Sequence, residues 1–125
     1  MNDELLDRRW IERVQKKAIL AFDNNKLNKE YMAIYIKGYR DFSKMLYDHD
    51  HGFIRHDPEE IESIRKMVQH MENTINYLDE SEQFIIYNEL ILHKTGKWYL
   101  EYYSESSYRR KCKTAYSNYL RLLEL

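Results

Sequence analysis

The sequence predicts an all-α protein of five to six helices. Apolar residues recur at spacings of three and four along most of the chain, which is the period of a helix buried on one side. Only three glycines and one proline occur in 125 residues, so the chain offers little material for the turns of β-hairpins. Helix-start motifs stand directly before several of the apolar runs.

Two helices are predicted in the N-terminal part. The first extends from about Asp3 to Phe22 and carries apolar residues four positions apart, namely Leu6, Trp10, Val14, Ala18 and Phe22. The polar residues 23–28 predict a break, and Asn28 is a suitable N-cap for the second helix. The second helix extends to about Tyr47, and its apolar face consists of Tyr31, Ile34, Tyr35, Gly38, Phe42 and Met45. Residues 48–56 are expected to form a loop.

The third helix has a well-defined predicted start. Asp57 is the expected N-cap and Pro58 the first helical residue, because proline lacks the N–H that the first turn leaves unpaired. Its apolar residues alternate at spacings of three and four, as in a heptad repeat: Ile61, Ile64, Val68, Met71, Ile75 and Leu78. The same stripe suits the core of a helical bundle or the seam of a homodimer, and we favour the bundle core because the repeat is short.

The C-terminal part predicts a fourth helix, a short aromatic segment and a final helix. Asp79 and Glu82 have the spacing of a capping box at the start of the fourth helix, and Gly96 is expected to end it as the C′ residue. Residues 97–103 predict a short aromatic helix or turn whose rings pack in the core. Ser104 is the expected N-cap of the final helix, whose apolar stripe is Tyr108, Cys112, Ala115, Tyr119 and Leu122.

Charge is distributed unevenly along the chain. Residues 104–121 carry five basic residues and one acid, a net charge of +4 in a chain whose total is −1. Residues 57–82 carry eight acids and two bases, a net charge of −6. A helix with an apolar stripe and a cationic, hydroxyl-rich opposite face suits contact with DNA, since Lys and Arg neutralise phosphates. The acidic segment is expected to face away from DNA or to receive a basic protein partner.

The C-terminal half carries a resemblance. Residues 78–87 run Leu-Asp-Glu-Ser-Glu-Gln-Phe-Ile-Ile-Tyr, Gly96 follows, and residues 104–111 run Ser-Glu-Ser-Ser-Tyr-Arg-Arg-Lys. This order resembles the helix-turn-helix of sigma-factor region 4 and of small phage-type transcription regulators. Residues 98–110 are also similar to small mollicute proteins with a sigma-like C-terminus. The bulky residues between Gly96 and Ser104 predict that the first helix of the pair is shortened or packed differently.

The resemblance implies a domain organisation and a function. We expect an N-terminal helical hairpin and loop over residues 1–56 and a helix-turn-helix-like unit over 57–125, together forming one compact domain. The implied function is that of a small cytoplasmic DNA-binding transcription regulator with double-stranded DNA as its partner. The residues expected at the DNA are Lys97, Ser104, Ser106, Ser107, Arg109, Arg110, Lys111, Lys113 and Arg121. The alternative is a sigma-like interaction module that docks on RNA polymerase or another protein, or self-associates, without binding DNA.

Other functional classes find little support in the sequence. No apolar run approaches the roughly 18–20 residues of a membrane span. The single cysteine, Cys112, excludes an intrachain disulfide and fits a reducing cytoplasm. His49, His51 and His56 are weak metal candidates, because their spacing matches no established metal motif. No cofactor is expected, and no residue set combines a nucleophile with a base, so we do not expect an enzyme.

Overall fold

The computed structural model describes residues 25–124, which are all-helical, as predicted. The described residues contain no strand. Their four α-helices are α1 (Asn25–Asp50), α2 (Pro58–Ile75), α3 (Glu80–Ile86) and α4 (Glu105–Glu124). A π-helical turn (Tyr87–Ile91) continues α3, and a 3₁₀ helix (Trp98–Glu101) precedes α4. The predicted first helix, Asp3–Phe22, lies outside the described residues.

All four helices contribute to one apolar core. Helix α4 packs against α1, α2 and α3, and α1 also packs against α2 and the π turn. The largest fully buried side chains come from every helix and from the π turn, namely Met32, Ile64, Met71, Ile85, Ile86, Leu90, Tyr119, Leu120 and Leu123. Burial of one such side chain contributes about 1.5–3 kcal/mol, so this shared core holds α4 firmly in place.

Helix α1 is longer than predicted at both ends. Asn28 was expected to cap it, but the chain is already helical at Asn25, and Asn28 lies inside the helix with only 1% of its surface exposed. At the other end the helix continues past Tyr47 to Asp50. Packing of the α1 face against α2 and α4 outweighs the weak helix preference of the asparagines. Gly52, with φ of 72°, reverses the chain after the helix.

Helix α2 begins and packs as predicted. The side chain of Asp57 accepts a hydrogen bond of 3.0 Å from the backbone N–H of Glu59, and Pro58 is the first helical residue. The six heptad residues are all buried within the single chain: Ile61, Ile64, Val68, Met71, Ile75 and Leu78. The stripe therefore serves as bundle core, and a homodimer through the Ile61–Leu78 seam would require the bundle to open.

The start of α3 agrees with the prediction, whereas its end does not. Asp79 and Glu82 form the capping box, in which each side chain accepts a hydrogen bond from the other residue's backbone N–H. The left-handed residue after the π turn is His93, with φ of 53°, and Gly96, with φ of 66°, lies further along the loop. Gly96 is therefore not the C′ residue. The π turn is wider than an α-helical turn and so displaces the end of the helix. Local sequence patterns do not predict this displacement.

The connection to α4 is longer than the turn of a compact helix-turn-helix. It comprises residues 92–104 with the 3₁₀ helix Trp98–Glu101 inside it, whereas helix-turn-helix motifs use a turn of about three or four residues. The predicted short aromatic helix is confirmed. Ser104 caps α4 as expected, since its Oγ accepts a hydrogen bond of 3.2 Å from the Ser107 backbone N–H. None of the described helices combines the length and the apolar character needed to cross a membrane.

Candidate nucleic-acid interface

Helix α4 is amphipathic, with one side fixed in the core and the other side basic. Its buried side consists of Cys112, Ala115, Tyr116, Tyr119, Leu120 and Leu123. Four exposed residues, Ser106, Arg110, Lys113 and Arg121, form what we call the basic ridge. At 3.6 residues per turn they fall within an arc of about 80° and extend over about 22 Å of the helix. The ridge therefore presents three cations and a hydroxyl along one line.

The two central cations of the ridge are unpaired within the part of the chain that the structure describes. Arg110 and Lys113 are exposed, and neither forms an ion pair with any residue in 25–124. Arg121, near the end of α4, donates a hydrogen bond of 2.7 Å to the Oδ1 of Asn118. Because Arg110 and Lys113 lie one helical turn apart, both side chains reach the same stretch of a bound polyanion.

Glu105 partly neutralises two other predicted contact residues. Its Oε1 lies 3.5 Å from Nη2 of Arg109 and 3.7 Å from Nζ of Lys97. All three side chains are well exposed, and such surface pairs are worth only about 0–1 kcal/mol. A phosphate can therefore compete with Glu105 for these two cations.

The remaining predicted residues differ in how accessible they are. The Nζ of Lys111 lies 5.9 Å from the centroid of the Tyr103 ring, and Lys111 is only half-exposed. The hydroxyl oxygen of Ser104 is engaged as the helix cap. Ser107 is half-buried, whereas Ser106 is exposed on the ridge. Ser106, Arg110 and Lys113 therefore share the ridge, whereas Ser104 serves as the helix cap, Ser107 is half-buried and Lys111 lies near the Tyr103 ring.

A buried carboxylate anchors the first half of α4. Glu89 lies in the π turn with 8% of its surface exposed, and it accepts hydrogen bonds from the hydroxyls of Tyr108 and Tyr116. Burial raises the pKa of Glu89, and the two tyrosine hydrogen bonds lower it in part. We call these three residues the Glu89 clamp. The clamp joins the π turn to two points on α4 that are about two helical turns apart, and so fixes how the basic ridge is presented.

The surroundings of the clamp reinforce this link. The Tyr108 ring stacks on Tyr99 with the centroids 3.6 Å apart and the planes at 4°. Asn118 donates a further hydrogen bond to Glu82, which ties α4 to the start of α3. Cys112 is buried beside the clamp, and burial together with the charge of Glu89 raises the pKa of its thiol to about 11. The thiol is therefore protonated at neutral pH and a poor nucleophile.

The aromatic segment before α4 is only partly buried. Tyr99 lies in the core, Trp98 and Tyr103 are half-buried, and Tyr102 is 54% exposed. The expectation that all these rings pack in the core is therefore wrong for Tyr102. The 3₁₀ helix is too short to turn every ring inward, so successive residues point to different sides.

The histidines near the α1–α2 loop do not assemble into a metal site. Within residues 25–124, no group of three His, Cys, Asp or Glu side chains is placed to hold a metal ion. The rings of His49 and His56 lie 6.2 Å apart, while His51 stacks on Tyr47 at 3.9 Å. Asp57 is engaged as the cap of α2.

Sequence reasoning missed the Glu89 clamp. Its one visible trace in the sequence is an acid among the apolar residues Ile85, Ile86 and Leu90.

Comparison of the chain with protein-family models, with curated proteins and with solved structures finds no match in any of the three. The sigma-like resemblance therefore depends on the residues quoted above alone.

Proposed function

We propose that this protein binds double-stranded DNA through the basic ridge of α4 and acts as a small transcription regulator. The observation that carries the proposal is the exposed pair Arg110 and Lys113 beside Ser106, since neither cation forms an ion pair within residues 25–124. DNA phosphates bind such cations, and Arg and Ser side chains also reach base edges in the major groove. The opposite side of α4 lies in the core, so the ridge is preorganised for binding.

In this proposal, seven of the nine predicted contact residues have a defined part at the DNA, while Ser104 and the Ser107 backbone N–H form the helix cap. Arg110 and Lys113 neutralise phosphates or contact bases, with Ser106 at the same edge. As DNA approaches, Arg109 and Lys97 leave their ion pairs with Glu105 and bind phosphates instead. Arg121 and Lys111 add long-range electrostatic attraction for the DNA.

We further propose that α3 and α4 correspond to the two helices of a sigma-like helix-turn-helix. The capping box that opens α3 and the serine cap that opens α4 support the correspondence. The extended connection over residues 92–104 then replaces the usual tight turn, and the Glu89 clamp sets the angle between the two helices.

Fluorescence anisotropy with a labelled duplex of mixed sequence tests the proposal at low salt. We expect wild-type protein to bind and the double variant Arg110→Gln/Lys113→Gln to bind about tenfold more weakly or worse, because two phosphate contacts are lost. The matched control, Lys37→Gln/Lys44→Gln, removes two exposed charges from α1 and should bind like wild type. Absence of wild-type binding, or equal losses in both double variants, would refute the proposal.

A second candidate function is an interaction module that docks on transcription machinery or self-associates. The net charge of −6 over residues 57–82 favours it, because such a surface suits a basic protein partner. A stable complex or a homodimer in size-exclusion chromatography, with no affinity for DNA, would select this function over DNA binding.

A further inference from the structure

A groove separate from the basic ridge lies between the first turns of α3 and the 3₁₀ helix. Its volume is about 690 Å³, within the range of about 300–1,000 Å³ that is usual for ligand pockets. It is shallow and open to solvent. Its lining consists of three aromatic residues, two acids and a serine, namely Phe84, Tyr102, Tyr103, Glu80, Glu101 and Ser81.

The three aromatic rings of the groove are arranged edge to face. The Tyr102 ring lies 4.9 Å from Phe84 at 72°, and the Tyr103 ring lies 6.3 Å from Phe84 at 67°. Tyr102 is 54% exposed although it is large and largely apolar. Rings held at steep angles to one another present both faces and edges to a ligand, and the faces carry partial negative charge.

The charges of the groove favour a cation. Glu80 and Glu101 are exposed carboxylates, and no lysine or arginine is among the lining residues. Two of the chain's own cations already lie near other rings of the aromatic cluster, so the exposed Tyr102 ring is the one proposed to receive a ligand. Lys94 lies 5.8 Å from the Trp98 ring and Lys111 lies 5.9 Å from the Tyr103 ring. Carboxylates beside exposed ring faces bind guanidinium and ammonium groups and repel phosphates.

We propose that this groove binds an arginine-containing, extended basic segment of a protein partner. A guanidinium group stacks on an aromatic face and pairs with a carboxylate at the same time, which an ammonium group does less well. Because the groove is shallow and open to solvent, a small free amine would keep much of its hydration shell there. A peptide adds backbone contacts and holds its side chain at the rings, so it binds more tightly.

The proposed peptide site does not depend on DNA binding, because none of its lining residues belongs to the basic ridge. Isothermal titration with a capped peptide of alternating Arg, Gly and Ser residues tests it directly. The control peptide carries citrulline, which keeps the shape of arginine without its charge. We expect the arginine peptide to bind and the citrulline peptide to bind far more weakly.

The peptide affinities of substituted proteins show where on the surface the peptide binds. Tyr102→Ala and the isosteric Glu101→Gln should each weaken binding by about 3- to 30-fold, as expected when a partly solvated cation–π or charge contact is lost. Tyr77→Ala, which removes a ring that is 78% exposed outside the groove, should leave the affinity unchanged, as should Arg110→Gln/Lys113→Gln.

Three results would overturn this inference. The first is equal binding of the citrulline peptide, and the second is unchanged affinity in both Tyr102→Ala and Glu101→Gln. The third is free arginine amide binding as tightly as the peptide, which would mean that the groove accepts a small amine instead of a protein segment.

Discussion

Removal of the Glu89 carboxylate should destabilise the fold, because Tyr108 and Tyr116 both donate to it. In Glu89→Ala, two partly or fully buried hydroxyls lose their acceptor. With an unsatisfied buried group costing about 1–3 kcal/mol, we expect the free energy of unfolding to fall by about 2–4 kcal/mol near pH 4, where Glu89 stabilises the fold most. Glu89→Gln should lose only about 1 kcal/mol, since its amide oxygen accepts one hydrogen bond and its NH₂ donates to the other hydroxyl.

The stability that Glu89 contributes should also depend on pH. Burial raises the folded-state pKa of Glu89 above its unfolded value, so the folded protein holds this proton more tightly. The resulting contribution is fully present below the unfolded pKa, near 4.3, and is lost as pH rises through the folded pKa. Each tenfold difference in proton affinity corresponds to about 1.4 kcal/mol. Wild type should therefore lose stability relative to Glu89→Gln as pH rises through this window.

Urea unfolding followed by circular dichroism at several pH values between 4 and 8 measures this effect. The difference between wild type and Glu89→Gln isolates the one carboxyl, because the other acids are common to both proteins. Tyr116→Phe should show a coupling energy of about 1 kcal/mol with Glu89→Gln, and Tyr77→Phe, on an exposed ring, should show none. A pH-independent difference, or equal coupling for both tyrosines, would refute the clamp as described.

Substitutions at two further positions test the ends of the helices by the same unfolding assay. Ser104→Ala should lower the free energy of unfolding by about 1 kcal/mol because α4 loses its cap, whereas Ser104→Asp should be as stable as wild type. Equal stability of wild type and both variants would contradict the cap. His93 has a φ of 53°, which lies in the left-handed region. His93→Val should lower the free energy of unfolding by about 1–2 kcal/mol, because a β-branched residue fits this region poorly. His93→Gly should remain within about 1 kcal/mol of wild type despite losing the contact with Arg40, and the opposite order would contradict the assigned conformation.

The sequence predicted the parts of the fold that depend on local chemistry. The Asp57 cap, the Asp79–Glu82 capping box and the Ser104 cap are all in place, because each requires only residues within one helical turn. The heptad stripe of α2 is buried as expected for a bundle core. The exposed position of Arg110 and Lys113 also followed from helical periodicity, since both lie opposite the apolar stripe.

The features that the sequence could not predict depend on tertiary packing. Asn28 looked like a cap but is buried inside α1, where contacts with other helices decide the outcome. The π turn moved the end of the α3 segment to His93, away from Gly96. The Glu89 clamp joins residues 19 and 27 positions apart, so no local pattern reveals it. The aromatic groove likewise forms only when the 3₁₀ helix is placed beside α3.

The salt dependence of DNA affinity tests the central proposal most directly. If Arg110 neutralises one phosphate, the slope of log affinity against log salt should become shallower by about 0.9 in Arg110→Gln, and Lys113→Gln should give a similar change. Lys37→Gln on α1 should keep the wild-type slope. Identical slopes in wild type, Arg110→Gln and Lys113→Gln would show that the basic ridge of α4 does not contact DNA phosphates.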